Sequence, residues 1–397
     1  MKILLVDDEP QILRGVSRII GCEQDEWEVD TADSGKDALD LLQAESDFDV
    51  VISDMQMPGM NGAQLLGEIG KLYPNILRIV LSGQADRDSV LSAIKPMHQY
   101  LSKPCEGSKL IEVISRAYIF QETIRSAEVL DAIGRANGIP TFPDIINRIN
   151  SELESETSTS KSVSRIVAED PILSARVFQL ANSSIFSMRN VVSSIEKAVS
   201  VIGVDMIKSL AMSQVVVDEN KKTENVLSTK SLFDHSFQVA VVAKSLASQS
   251  SLSLDDGNQI FSAGLLHDVG KILLLNSFPE KYKTAMDTAK SRSIELADAE
   301  MEMFDATHQG VGGYMLSLWG LPANVIEAVA SHHSFAECAK IEGSVASYVF
   351  AANWIVNDRS EDDLNKRVEA SDASDNARRF ADQINAWQES IKKGTED

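Results

Sequence analysis

The hydrophobic pattern of the chain changes character near residue 120. Before it, short continuous apolar runs alternate with amphipathic stretches. KILLVD (Lys2 to Asp7), DVVISD (Asp49 to Asp54) and LRIVLS (Leu77 to Ser82) are apolar runs that each end on a polar residue. Between them, Gln11 to Ile20 and Lys36 to Leu42 carry apolar residues at helical spacing. Strands buried on both faces give such runs, and their alternation with helices predicts a doubly wound parallel α/β sheet over residues 1–120.

From Ser108 to Ile133 neither proline nor glycine interrupts the chain. Leu110, Ile114, Ala117 and Ile124 keep a three-to-four spacing, with Gln121 interrupting the stripe. This predicts that the last helix of the sheet domain runs on as a connector over residues 121–133. A terminal helix packed on its own sheet is the alternative. GRANGIPTFP (Gly134 to Pro143) then places two glycines and two prolines together, a domain boundary.

Beyond the boundary the pattern is helical throughout, predicting an all-α bundle over residues 134–335. SELESETSTSKSVS (Ser151 to Ser164) reads as a polar connection. AEDPILSARVFQLANSSIF (Ala168 to Phe186) has helical spacing and a start signal at Asp170–Pro171. SIEKAVSVIGVDMIKSLAM (Ser194 to Met212) gives two amphipathic stretches around Gly203. Residues 336–397 read as C-terminal helices with an acidic tail. There Phe380, Ile384, Trp387 and Ile391 make one apolar helix face, for packing back on the domain or for docking a partner.

Composition narrows the class. A length of 397 residues allows two or three domains. No apolar run approaches the roughly 18 residues that span a bilayer. Acids at positions 7 to 9 spoil a signal-peptide reading, so the expected location is the cytoplasm. Three scattered cysteines form no disulfide framework. A net charge of −22 argues against unaided binding to nucleic acid or anionic membrane.

Candidate chemistry collects at two places. In a doubly wound sheet, function gathers at the C-terminal strand ends. Asp7, Asp8, Asp54, Ser82 and Lys103 all fall there. Three carboxylates brought together call for a divalent cation, and oxygen donors suit Mg²⁺. VDDEP, DMQMPGMNG, VLSG and YLSKP, in that order over residues 1–120, resemble the receiver domain of bacterial response regulators. That resemblance implies Asp54 as phosphoacceptor and Asp7, Asp8, Asp54 and the Gln56 carbonyl as Mg²⁺ ligands. It implies Ser82 and Tyr100 as switch residues and Lys103 as the phosphoryl-binding lysine.

Five of the six histidines lie between residues 235 and 333. Histidines on several helices of a bundle can converge on an interior metal site. IPTFPDIINRI, EDPILSARVFQLANSSIF, GLLHDVGK, HQGVGGYMLSLWGLP and ASHH resemble, in order, the HDOD domain, a relative of the HD and HD-GYP phosphohydrolases. By that relationship His235, His267 and Asp268 would serve one metal. Asp268 with His308, His332 and His333 would serve another, and Lys271 would face substrate phosphate. Asn353 stands where the HD pattern ends on an aspartate, and no G-Y-P follows His333.

The two resemblances together imply a phosphorylation-controlled response regulator of two-component signalling. Its histidine kinase is the upstream partner, and its HDOD output binds a downstream protein without catalysis. Nucleic acid and membrane are not expected partners, and a homodimer is left open. A metal-dependent phosphodiesterase acting on a cyclic dinucleotide or nucleotide is the alternative, with Lys271 as candidate catalytic residue. A metal-binding sensor holding a transition ion is the other.

Overall fold

The computed structural model describes residues 1–24, 26–45, 47–83, 97–135, 143–153, 155, 158–182, 192–204, 206–207, 210, 223–250, 252–341, 343–371 and 374–394. The N-terminal part is a five-stranded sheet: β1 (Lys2–Val6), β2 (Glu28–Ala32), β3 (Val50–Asp54), β4 (Leu77–Ser82) and β5 (Gln99–Ser102). Its order is β2-β1-β3-β4-β5, with every pairing parallel. β3 and β4 are buried at every position, as their continuous apolar runs require. The β3–β4 register pairs Asp54 with Leu81, which leaves Ser82 at the same C-terminal edge.

The helix Gly62–Leu72 begins with a capping box in which Asn61 and Gln64 satisfy each other's backbone N–H groups. Gly62 has a spatial reason: a Cβ there would lie 2.1 Å from the Asp54 carbonyl oxygen.

The predicted unbroken connector is corrected. Helix Gly107–Gln121 stops, residues 122–126 are not helical, and a new helix, Ala127–Gly134, starts with Ser126 as its cap. Hydroxyl side chains compete here with the helical ladder. Thr123 Oγ1 donates to the Phe120 carbonyl (2.7 Å). The Arg125 N–H donates to the carbonyl of Asp305 in the second domain (3.3 Å), and Ile124 is buried. The polar connection near residue 155 is also shorter than it reads, because the helix Ser160–Val167 already begins at its Thr159 cap.

In the bundle, the long helix Thr223–Ser248 packs on Leu254–Leu266 and Val345–Val356, and Ala323–Ser331 closes the group. Helix His308–Leu318 packs on Val269–Ser277 within the bundle and on Gly107–Gln121 of the sheet domain. Gly270, in GLLHDVGK, permits the first of these contacts. A Cβ on it would meet the His308 carbonyl oxygen at 2.0 Å. The tail helix Asp375–Gly394 turns its apolar face back on the domain. Phe380 stacks on Phe335 (5.6 Å) and Trp387 lies 5.6 Å from Tyr348. No described helix is long and apolar enough to cross a membrane.

Candidate phosphorylation pocket and His–Asp centre

The parallel sheet brings Asp54 at the end of β3, Asp7 after β1 and Lys103 after β5 to one edge. Lys103 Nζ bridges Asp7 Oδ2 (2.5 Å) and Asp54 Oδ1. Burial works against the ammonium, but the two carboxylates hold its pKa above the usual lysine value. Asp54 Oδ2 also accepts from the Gln56 N–H (2.6 Å), and Asp7 Oδ1 from the Glu9 N–H (2.9 Å). Asp8 is exposed at the rim. Among the described residues the pocket brings three carboxyl groups to one ammonium. Its all-oxygen donor set fits a hard divalent cation. Ser82 and Tyr100 are both buried. Burial raises the Tyr100 phenol pKa, a hydrogen bond with Ser82 opposes this, and the charge of Asp54 adds to the rise.

The second centre forms where GLLHDVGK joins two helices. His267 caps Leu254–Leu266, Asp268 precedes Val269–Ser277, His308 opens its own helix, and His332 and His333 follow Ala323–Ser331. His267, Asp268 and His308 have no exposed surface, and His332 has almost none. All face the Asp268 carboxylate. His267 Nε2 lies 3.3 Å and His235 Nε2 3.8 Å from Oδ2, while His332 Nε2 lies 3.4 Å and His308 Nε2 3.7 Å from Oδ1. His333 packs edge-on to the His308 ring, 5.1 Å away.

The outer ring nitrogens decide the tautomers. His267 Nδ1 lies 2.7 Å from the Gly264 carbonyl and His332 Nδ1 2.7 Å from the Val329 carbonyl. His308 Nδ1 lies 2.6 Å from the Glu300 carboxylate. These oxygens accept, so each Nδ1 carries a proton and each ring turns its Nε2 to the interior. All three Nε2 atoms and Asp268 Oδ1 are buried without a hydrogen-bond partner.

Electrostatics sharpen the point. Burial lowers His332 to about 3 and His235 to about 4, so both are neutral near pH 7. Burial also opposes ionisation of Asp268, but the neighbouring His267 and Lys271 overcome it and hold the carboxyl well below the usual range. Lys271 Nζ donates to Asp268 Oδ2 at 2.8 Å. One face of the centre opens on a cavity of about 810 Å³, lined among others by Lys271, Arg359, Arg367, Gln309 and His333.

The chain matches the response regulator receiver domain over residues 3–115 and the HDOD domain over residues 139–335. This chain is a response regulator with an HDOD domain. The nitrate/nitrite response regulator protein NarL of Escherichia coli (strain K12) is 32% identical over 146 residues, covering 36% of this chain and 67% of NarL. An uncharacterized protein of Treponema pallidum (strain Nichols) is 23% identical over 241 residues, 59% of this chain and 45% of its own. Among solved structures, the MmoQ response regulator from Methylococcus capsulatus str. Bath has 22% identity and a TM-score of 0.47, covering 62% of this chain and 92% of that one. The chain spans 23 to 45% of the length of the first curated relatives it matches.

Each candidate site residue named from the response regulator's sequence lies at one of these two places. Within the His–Asp centre their conditions differ. His235 Nε2 lies 3.1 Å from Asn353 Oδ1, which also accepts from Asn357 Nδ2 (2.7 Å). An amide oxygen cannot donate, so His235 presents a proton and is already committed. Asn353 therefore stands beside His235, and of the group His235–His267–Asp268 only the last two are open. The sequence reading missed Glu300 entirely. Glu300 is fully buried, and its carboxylate accepts from the N–H (2.8 Å) and Nδ1 of His308 and from the Tyr282 hydroxyl (3.1 Å). Its stretch, ELADAEMEMF, reads as an acidic surface helix, and nothing local marks one of four acids as internal.

Proposed function

We propose that this response regulator is phosphorylated on Asp54 and that its HDOD output holds one transition-metal ion between Asp268, His308 and His332. His333 completes that group, and His267 stands beside Asp268 with His235. One observation carries this reading: Asp268 Oδ1 and the Nε2 atoms of His267, His308 and His332, on three peptide segments, are buried close together with none of them in a well-formed hydrogen bond. Each orphaned polar atom costs about 1–3 kcal/mol unless something satisfies it. Metal bonds of about 2.0–2.2 Å in a tetrahedral arrangement hold ligand atoms roughly 3.4 Å apart. Asp268 Oδ1 lies 3.4 Å from His332 Nε2 and 3.7 Å from His308 Nε2, which fits that spacing. Imidazole nitrogens with one carboxylate suit a transition ion. Such an ion would tie together the helices that supply its ligands.

In the receiver, Asp54 supplies the nucleophilic oxygen, Lys103 a positive charge beside it, and Asp7, Asp8, Asp54 and Gln56 the oxygens for Mg²⁺. The ion would neutralise charge on the incoming phosphoryl group. The receiver implies a phosphodonor, for which a histidine kinase is the natural source. The output acts in the cytoplasm on a downstream protein. A reading without turnover rests on His235 and Asn353: the position of a second ion has lost a carboxylate, and its remaining histidine is bonded to an amide.

Metal analysis of the purified chain tests the reading. After loading with Fe²⁺, Mn²⁺ or Zn²⁺ and desalting, about one ion per chain is expected beyond any Mg²⁺. Asp268→Ala and His308→Ala should lose it, and Asp54→Ala should keep it. A wild-type chain that retains no transition metal would sink the proposal. The cavity lined by Lys271, Arg359 and Arg367 favours one rival, a phosphodiesterase acting on a nucleotide. Metal-dependent cleavage of a cyclic dinucleotide that disappears in Asp268→Ala would establish that rival instead.

A further inference from the structure

We infer that phosphorylation of Asp54 and occupancy of the His–Asp centre are linked through one strand and one helix, β5 and His308–Leu318. The second half of this linkage rests on the metal reading above; the first half does not. Adjacent strand residues point to opposite faces. Tyr100 of β5 turns into the phosphorylation pocket, where it meets Ser82. Gln99, one residue earlier, turns outward to the HDOD domain. Its Nε2 donates to the carbonyls of Ser317 (3.2 Å) and Leu318 (2.9 Å). These are carbonyls of the last helical turn, which the helix itself leaves unpaired; that of Ser317 also accepts from the Gly320 N–H (3.1 Å). At the other end of the same helix, about 15 Å away at 1.5 Å per residue, stands His308, facing Asp268.

The helix cannot take up a shift at Gln99 by bending into free space. Its His308 carbonyl sits against Gly270, where even one methyl group would overlap, and Gly270 is two residues from Asp268. Displacement at Leu318 is therefore felt at His308 and Asp268 together.

A second observation makes the junction displaceable. The His98 carbonyl accepts from Gln179 Nε2 (2.9 Å), and Gln179 Oε1 accepts from Arg176 NH1 (2.8 Å). Arg176 lies over the ring of Trp319, which follows Leu318, at 4.1 Å. It is 1% exposed, and its Nε and NH2 have no hydrogen-bond partner. No carboxylate of the described residues pairs with this guanidinium, and such a buried charge opposes the closed junction. Among the described residues, Arg176 therefore sets the cost of a buried charge against the contact of β5 with this helix, a fit arrangement for a two-state element.

The test uses the full chain with Mg²⁺ and beryllium fluoride, which mimics an acylphosphate on Asp54. Two quantities are measured with and without beryllium fluoride: amide hydrogen exchange in residues 308–318, and Co²⁺ affinity by titration calorimetry. Exchange in 308–318 should change, and the Co²⁺ Kd should shift by about fivefold or more. Gln99→Ala should abolish both shifts while keeping beryllium fluoride uptake and Co²⁺ stoichiometry. Gln99→Glu sets an acceptor against the two carbonyls and should behave the same way. Unchanged exchange in the wild type, or full shifts in both Gln99 variants, would overturn the linkage. So would changed exchange with an unchanged Co²⁺ Kd. Changed exchange in a chain that binds no Co²⁺ overturns the metal reading alone and leaves the strand-to-helix path supported.

Discussion

Replacing Glu300 by glutamine isolates what a buried carboxylate does behind a ligand histidine. Glu300 Oε2 receives both the backbone N–H and the Nδ1–H of His308, and Oε1 receives the Tyr282 hydroxyl. Glutamine has the same size. Its amide oxygen can face His308 while its NH₂ donates to the Tyr282 oxygen, so the contacts survive and the charge goes. Hydrogen bonds to a charged group contribute about 1.5–3 kcal/mol and neutral ones about 0.5–1.5 kcal/mol. With two bonds from His308 weakened, the metal-free protein should lose about 1–3 kcal/mol. The effect on metal should be larger in kind. A carboxylate behind a ligand imidazole raises its basicity and fixes its orientation, and losing it lowers affinity roughly 10- to 100-fold. Urea denaturation of the metal-free chain measures the first quantity and Co²⁺ calorimetry the second. If Glu300→Gln bound Co²⁺ within twofold of the wild type, His308 would not be a ligand oriented by Glu300, and the reasoning would fail.

Three further outcomes follow from the geometry. Asp54→Ala should take up no phosphoryl group from acetyl phosphate in Mg²⁺, measured by intact mass; phosphorylation that persists would displace the site. Gly270→Ala forces a methyl group against the His308 carbonyl oxygen and should cost about 3 kcal/mol in urea midpoint analysis, near the upper end of overpacking effects; a neutral result would mean that the two helices separate easily. Hydrogen bonds from Arg359, with Arg367 beside it, hold the Glu295 carboxyl below its usual range. Its contribution to stability is therefore in place above the ordinary glutamate pKa of about 4.3 and is lost as pH falls through the lower folded value. Glu295→Gln should accordingly lower Tm at pH 7 and converge on the wild type in strong acid, and a difference that grows in acid would contradict the ion-pair account.

The sequence by itself determined the parallel sheet and the location of both centres. Continuous apolar runs identify strands buried on both faces, and polar residues at their ends must fall on one edge, so Asp7, Asp54 and Lys103 were legible together. The His–Asp centre was legible as a set of residues because GLLHDVGK and the following histidine-bearing stretches occur in order. The state of those residues was not. That His267, His308 and His332 each spend Nδ1 on an outer oxygen, turning Nε2 inward, depends on backbone carbonyls and on a carboxylate from another helix. Glu300 and Arg176 look like surface charges in their own stretches, since charged side chains are seldom fully buried. The unbroken spacing from Ser108 to Ile133 predicted one helix, yet the chain breaks after Gln121, where Arg125 bonds to Asp305 of the bundle. Periodicity along the chain records which face of one element is apolar. Which polar groups meet across elements depends on how close the backbones come. That was decided only when Gly270 let two helices touch and β5 met the far end of one of them.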